Sequence, residues 1–366
     1  METENFNQIL SRFGQAIDAQ ILDELGQQPG EIGPAADFMR GAISYHFGWC
    51  DQEFRPTPGG NSGKKLRPVM ALLAFQGAHP QQEAADLSPM LPLAASIEMI
   101  HNYSLLHDDI EDDDQARRGR PTAWTIWGKP RAINIGDCLH VLAFRRLYRA
   151  AEIGLSESQT LQAACYLTAT SVKLAQGQHQ DLTFEQEGGV TPEAYLEMIG
   201  GKTAALIRCA VWMGAMAALE PQETARLEAF AEFGEQIGVG FQMRDDILGI
   251  WGIAEETGKP VANDIRRRKK SLPIIYALNQ AQGQSQQRLH ELYQHSQPMS
   301  ETEVNFVLAQ MEECGAREFV QSQADYHKSQ ALKALETAAG GLAALNQNRP
   351  LLQLKQLSTF LVERTF

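Results

Sequence analysis

Ile100-His101-Asn102-Tyr103-Ser104-Leu105-Leu106-His107-Asp108-Asp109-Ile110-Glu111-Asp112 decides the fold. It closes an apolar run of helical period with a cluster of acids. Carboxylates four residues apart lie one above the other on a helix, so Asp108 and Asp112 project side by side. Like charges at that spacing repel by about 0.2–0.5 kcal/mol. A second apolar helical run leads to Asp245-Asp246. Acids gathered at the end of two apolar helical runs call for a counter-cation. Hard oxygen donors suit Mg²⁺, which keeps several waters and takes one or two protein carboxylates plus substrate phosphates. Two facing acidic clusters holding a diphosphate through magnesium are therefore expected. An isolated acidic run is ordinarily a solvated face, and Glu111, Asp113 and Asp114 read that way.

Helical periodicity extends outward from this stretch. Phe6, Ile9, Leu10, Phe13, Ile17, Ile21 and Leu25 step by three and four, which predicts an amphipathic first helix. Further helices are expected near 35–47, 66–78, 87–109, 131–154, 157–186, 192–217, 222–250, 271–281, 301–340 and 350–363. Alternating strand patterns are almost absent. Breakers separate the helices at Pro56-Thr57-Pro58-Gly59-Gly60, Gly188-Gly189, Gly258-Lys259-Pro260 and Gly340-Gly341. The runs at 87–109 and 222–250 are apolar on most sides, as buried helices are, and both end in aspartates. The reading is one all-α domain over residues 1–366, a helix bundle with a polar mouth, and bundle cores commonly carry ligand and metal sites.

Composition sets the class. Hydrophobic residues are 43% and charged residues 21% of 366, ordinary for a globular protein with a large core. A formal net charge of −13 argues against nucleic acid as a partner. Cys50, Cys138, Cys165, Cys209 and Cys314 show no paired spacing, so neither a zinc pattern nor a disulfide framework is expected and a reducing cytoplasm fits. The acidic start, Met1-Glu2-Thr3-Glu4, is unlike a signal peptide. No apolar stretch approaches the roughly 18 residues a membrane span needs. A soluble protein without membrane insertion is expected.

Four basic clusters accompany the acids: Gly63-Lys64-Lys65-Leu66-Arg67-Pro68, Arg117-Arg118-Gly119-Arg120-Pro121, Gly201-Lys202-Thr203, and Lys259 with Arg266-Arg267-Arg268-Lys269-Lys270. The first opens a helix, where free N–H groups favour anions. Arg grips phosphate oxygens at two points and Lys supplies a point charge. Each run alone reads as solvent-facing. Flanking both aspartate motifs in an acidic chain, they suit a diphosphate head with a hydrocarbon tail.

In this order the motifs resemble the trans-prenyl diphosphate synthases (polyprenyl synthetases) over nearly the whole chain. The matching segments are GKKLRP at 63–68, IHNYSLLHDDIED at 100–112, RRGRPTAW at 117–124, GQHQDL at 177–182, GKTAALI at 201–207, GFQMRDD at 240–246 and GKPVANDIRRRKKSLP at 258–273. The resemblance implies antiparallel helices around a central cavity, a homodimer, and head-to-tail condensation of isopentenyl diphosphate with an allylic diphosphate (dimethylallyl, geranyl or farnesyl). It assigns Lys64, Arg67, His101 and Arg118 to the isopentenyl diphosphate head group. Arg117, Lys202, Thr203, Gln242, Lys259 and Lys269 fall to the allylic diphosphate. Asp108, Asp112 and Asp245 become the Mg²⁺ ligands, with Asp109 and Asp246 as supporting acids.

The chemistry fits these residue types. Ionising an allylic diphosphate leaves pyrophosphate and a delocalised carbocation, so fixed positive charge on the leaving group is the main requirement. Lys202, Thr203 and Gln242 offer dipoles near the cation. No side-chain nucleophile is needed. One departure stands out: where the family's second motif ends in a third aspartate, this chain has Gly249.

Chain length in the family depends partly on residues four and five positions before the first aspartate, here Ser104 and Tyr103. One aromatic with a small neighbour resembles the geranylgeranyl (C20) pattern more than the farnesyl (C15) one, although Tyr103 also reads as core packing. A terpene cyclase on the same fold would not need Lys64, Arg67, His101 and Arg118. A non-catalytic partner subunit would ordinarily lack aspartate motifs.

Overall fold

A computed structural model describes residues 6–26, 33–186, 189–252, 261–294 and 299–363. By its internal contacts the chain divides into two units, Met1–Ser171 with Cys209–Leu227 and Asn348–Leu351, and Val172–Arg208 with Glu228–Gln347 and Leu352–Phe366. The division cuts four helices, Glu157–Gln186, Ala205–Ala218, Thr224–Trp251 and Arg349–Glu363.

Unit 1 is built on α1 (Phe6–Gly26), α2 (Pro34–His46), α3 (Leu66–Ala78), α4 (Leu91–Glu111), α5 (Ala123–Trp127), α6 (Lys129–Tyr148), α7 (Ala150–Ile153) and the start of α8 (Glu157–Gln186). Ile9, Phe13, Ile17, Ile21 and Leu25 are all buried, so the expected stripe of α1 is its core face. Each such side chain contributes about 1.5–3 kcal/mol when fully buried. α4 is buried almost continuously from Pro92 to Ile100 and packs against α1, α3 and, most extensively, α6. A charged cluster also joins α1 to α6. Glu24, fully buried, pairs with Arg145 and lies 3.3 Å from Arg149, while Arg146 reaches Asp23 at 2.8 Å.

Between α4 and α5 the chain makes a hairpin of two-residue strands, β1 (Ala116–Arg117) and β2 (Arg120–Pro121), paired Ala116 to Pro121 and Arg117 to Arg120. Its turn residues, Arg118 and Gly119, have φ of 53° and 75°. Positive φ at both centres is what a tight hairpin of this length requires.

Unit 2 contains the end of α8, α9 (Pro192–Ile199), a π-helical turn (Gly200–Ala204), α10 (Ala205–Ala218) at its start, most of α11 (Thr224–Trp251), α12 (Asn263–Arg266), α13 (Leu272–Gln280), α14 (Gly283–Gln294), α15 (Glu301–Glu313), α16 (Ala316–Ala339), α17 (Leu342–Gln347) and most of α18 (Arg349–Glu363). Ile250, Ile265, Ile274, Leu289, Val304, Val307 and Met311 form one of its apolar clusters.

The expected single helix over 301–340 is two. Ser300 and Glu303 cap each other's backbone at the start of α15, and Gly315, at φ 69°, ends that run before α16 begins. α14 was not anticipated, because its Gln-Ser-Gln-Gln-Arg start is polar and only Leu289, Leu292 and Tyr293 are buried. α11 runs past Asp245 and Asp246 to Trp251, so these acids lie inside the helix, whereas Asp112 caps the end of α4. No helix of the described residues is long and apolar enough to cross a membrane.

Candidate active site

In unit 1 the first basic segment meets the acidic one. Arg67, in the first turn of α3, donates from Nη1 to His101 Nε2 on α4 at 3.1 Å. Burial, then the positive charges of Arg67, Arg118 and Arg117, holds the His101 pKa well below its ordinary value. The ring is therefore neutral and its Nε2 is the acceptor. Burial, with Arg118 and Arg117, also drives His46 at the end of α2 down to about 3. The guanidinium of Arg118 lies over Gly63, where a Cβ would meet its Nη2 at 2.8 Å. That approach brings Arg118 to the GKKLRP segment.

Arg67 Nε, Arg118 Nη1 and His46 Nε2 are buried with no hydrogen-bond partner. An unmatched buried donor costs about 1–3 kcal/mol, more if charged. Two of them on arginines, beside a neutral histidine, make a ready site for an anion. Glu98, beneath them, gives partial balance: burial raises its pKa, and Lys65, Arg118 and Arg67 oppose the rise.

Adjacent basic residues have different fates. Lys64 is exposed, while Lys65 is buried, 3.0 Å from Asp18 and 2.5 Å from Ser62 Oγ. Arg120 donates to the carbonyls of Tyr45 and Cys50 and serves the fold. Arg117 donates to Asp109 Oδ1 at 2.5 Å. Tyr103 sits edge-on to His107 at 5.2 Å and tilted against His140 of α6 at 4.6 Å, and Ser104 donates to the His101 carbonyl.

In unit 2 the centre is Asp246. It accepts from Tyr195 OH at 2.6 Å, from Leu272 N at 3.2 Å and from Gln242 Nε2 at 3.1 Å. Burial lifts its carboxyl to about 6, against the lowering influence of Lys269, Tyr195 and Gln242. Gln242 in turn accepts from Thr203 Oγ1 at 2.9 Å, and Lys202 pairs with Asp181 at 2.5 Å. Lys202 and Thr203 lie on the π-helical turn, a feature frequent at functional sites. α8 approaches that turn so closely that a Cβ at Gly177 would lie 2.2 Å from Lys202 N.

Within the basic run of unit 2, Arg266 pairs with Glu301, Arg268 donates to the Leu292 carbonyl and Lys270 to those of Phe184 and Glu185. Lys269 acts on Asp246. Lys259 lies outside the described residues. Left-handed backbone at non-glycine residues recurs beside the motifs, at Lys65, Asp113, Arg118, Ala262 and Arg268. Such conformations cost roughly 1–3 kcal/mol each and gather at functional sites.

The donors fit magnesium by chemistry. Asp112 N bonds to the Asp108 carbonyl at 2.8 Å, so the two carboxylates belong to successive turns at the C-terminal, negative end of α4. Asp245 is half-buried beside the fully engaged Asp246. Among the described residues no three acids or histidines converge into a ready cage. Mg²⁺ does not need one when substrate phosphates complete its shell.

Sequence reasoning missed His46, Glu98, His140, Asp181 and Tyr195. The four-residue spacing of Gln242 and Asp246 was a readable signal of their hydrogen bond. Tyr195 gave none.

Residues 58–311 match the family model described as Polyprenyl synthetase. The chain is 37% identical over 305 residues to the geranylgeranyl diphosphate synthase of Mycobacterium tuberculosis, covering 83% of each. It is 35% identical over 347 residues to the (2E,6E)-farnesyl diphosphate synthase of that organism, covering 94% of this chain and 90% of the relative. The crystal structure of a polyprenyl synthetase from Streptomyces coelicolor A3(2) superposes with a TM-score of 0.83 at 32% identity, covering 98% of this chain and 100% of that one.

Proposed function

The chain belongs to the polyprenyl synthetase family, and we propose that it is an elongating trans-prenyltransferase whose main product is geranylgeranyl diphosphate. Its substrates are isopentenyl diphosphate and an allylic diphosphate. The observation that carries this reading is the set of buried, unpartnered nitrogens of Arg67, Arg118 and His46. A cyclase ionises one diphosphate and has no use for a second anion site.

Unit 1 binds the isopentenyl diphosphate head group with Lys64, Arg67, Arg118 and the neutral His101. Arg117, Lys202 and Lys269, with Lys259, hold the allylic diphosphate. Asp108, Asp112 and Asp245 would hold magnesium, which would supply positive charge to the leaving pyrophosphate. The allylic C–O bond breaks with its electron pair on the pyrophosphate oxygen. Thr203 and Gln242, locked in orientation by Asp246, present fixed dipoles to the cation. The isopentenyl double bond then attacks the allylic carbon, and the pyrophosphate takes the proton that is lost.

Tyr103, braced by His107 and His140, is the wall that stops the tail at C20. Geranylgeranyl and farnesyl synthases both stand among the relatives, so the product decides. Purified protein should convert isopentenyl diphosphate and each allylic primer mainly to the C20 diphosphate by mass spectrometry. Consumption of an allylic diphosphate alone, with a cyclic product, would replace elongation by cyclisation. Tyr103→Ala should shift the product to C25 and beyond, since each added unit buries apolar area at about 25 cal/mol per Å². An unchanged distribution from a folded, active variant leaves Tyr103 as core packing.

We also propose a homodimer. Exposed Ile133, Val141 and Tyr148 lie seven and eight residues apart on one face of α6. Sedimentation of the full chain tests this, with Val141→Lys expected to favour the monomer.

A further inference from the structure

One aspartate of the first motif has no counterpart in the second. Four residues after Asp108 stands Asp112, whereas four residues after Asp245 stands Gly249. Glycine inside a helix costs about 1 kcal/mol relative to alanine, so an unforced glycine there needs a reason. A Cβ at position 249 would lie 2.2 Å from Oδ2 and 2.6 Å from Cγ of Asp264. The carboxylate of Asp264 thus occupies the space where a side chain on α11 would begin. Asp264 comes from α12, is 8% exposed, and its carbonyl accepts from Lys269 N at 2.9 Å. One residue therefore puts a charge against the Asp245 turn and closes the backbone turn that carries Lys269.

We infer that Asp264 supplies, from α12, the acidic charge that α11 lacks at Gly249, and so acts as a positioning residue for the cation and diphosphate held at Asp245. This rests on the magnesium reading above. Gly249 is the other half of the device: it leaves the room that Asp264 fills. Asp264 acts through its charge and through the Lys269 turn.

Calorimetric titration of Mg²⁺ into the full chain, with saturating inorganic pyrophosphate, tests this. Groups that support a metal's ligands change its affinity by about 10–100-fold when removed, and Asp264→Asn should weaken binding by that much. Gly249→Ala should also weaken it, because even a methyl displaces the carboxylate. Its melting temperature should hold or rise, since alanine is the better helix former. A merely structural role for Gly249 would lower both. The exchange Gly249→Asp with Asp264→Gly should recover most of the lost affinity, and it decides the matter where Asp264→Asn does not fold. Unchanged affinity in Asp264→Asn, or an exchange variant that folds and binds no better than Asp264→Gly alone, overturns the assignment. Unchanged affinity in Asp245→Asn would instead overturn the magnesium reading itself.

Discussion

Asp108-Asp109 in unit 1 and Asp245-Asp246 in unit 2 are spelled alike and fastened differently. In each pair the first acid is half-buried and the second is sunk, Asp109 at 2% and Asp246 at 1% exposure. Burial raises both second carboxyls to about 6. Asp109 is then held by one hydrogen-bonded charge, Arg117 at 2.5 Å, with Arg118 also acting on it, and its Oδ2 has no hydrogen-bond partner. Asp246 accepts hydrogen bonds from three uncharged donors, a tyrosine, a glutamine amide and a backbone N–H, while the charge of Lys269 acts on it without being one of those three. The first fastening concentrates its hydrogen bonding in one ionic contact, while the second spreads it over three neutral donors. In both, the second acid is anchored and the first stays half-buried at the surface of the same helix turn.

The largest effect should test that division of labour. Asp108→Asn and Asp245→Asn should each lower kcat by about 10³-fold or more, since removing one strong electrostatic stabiliser alone costs about 10²–10³-fold. Asp109→Asn and Asp246→Asn should lose clearly less, and excess EDTA should abolish turnover in the parent. Steady-state kinetics on folded variants decides. Equal losses at both acids of a pair would break the comparison.

Next in size is the fastening itself. Arg117→Gln removes the charge hydrogen-bonded to a buried carboxylate, leaving Arg118 as the remaining positive charge that acts on it, and should lower stability by about 3 kcal/mol. Tyr195→Phe removes one of three donors to Asp246 and should cost about 1–2 kcal/mol. Urea unfolding at pH 7 measures both. Equal costs would mean that one donor carries Asp246 as Arg117 carries Asp109.

How much of this was legible follows from the range of each contact. α4 and its acids could be read because period and charge lie on one local stretch. Gln242 and Asp246 are neighbours on a helix face, so their bond was within reach of spacing alone. Tyr195 reaches Asp246 across 51 residues, and no local pattern encodes such a pair. Lys64 and Lys65 are indistinguishable by type. Only the left-handed backbone of Lys65 (φ 50°) and the presence of Asp18 turn one inward. The strands flanking Arg118 are too short to alternate. The arginine-glycine turn was visible, but not the contact it makes with Gly63.

The smallest effect sharpens the comparison through pH. The donors around Asp246 do not titrate near neutrality, whereas unit 1 holds His46 and His101 neutral among arginines. In the unfolded chain a histidine titrates near pH 6.5, and in the fold His46 titrates at about 3. Between these values the unfolded chain binds more protons, so stability rises with pH across the window. The contribution is complete above about pH 6.5 and is lost as pH falls toward 3. Asp109 and Asp246, raised from 3.8 to about 6, work in the opposite direction, their contribution being lost as pH rises through 6. The parent's own profile therefore mixes the two signs, and the difference between variant and parent isolates the histidine. On going from pH 7 to pH 5, His46→Asn should lose less stability than the parent by on the order of 1 kcal/mol, allowing for partial solvent access. Denaturant midpoints at the two pH values, in metal-free buffer, give the number. A variant whose pH slope matches the parent's would show that His46 is not held neutral, and the arginine cluster around it would then be weaker than its geometry indicates.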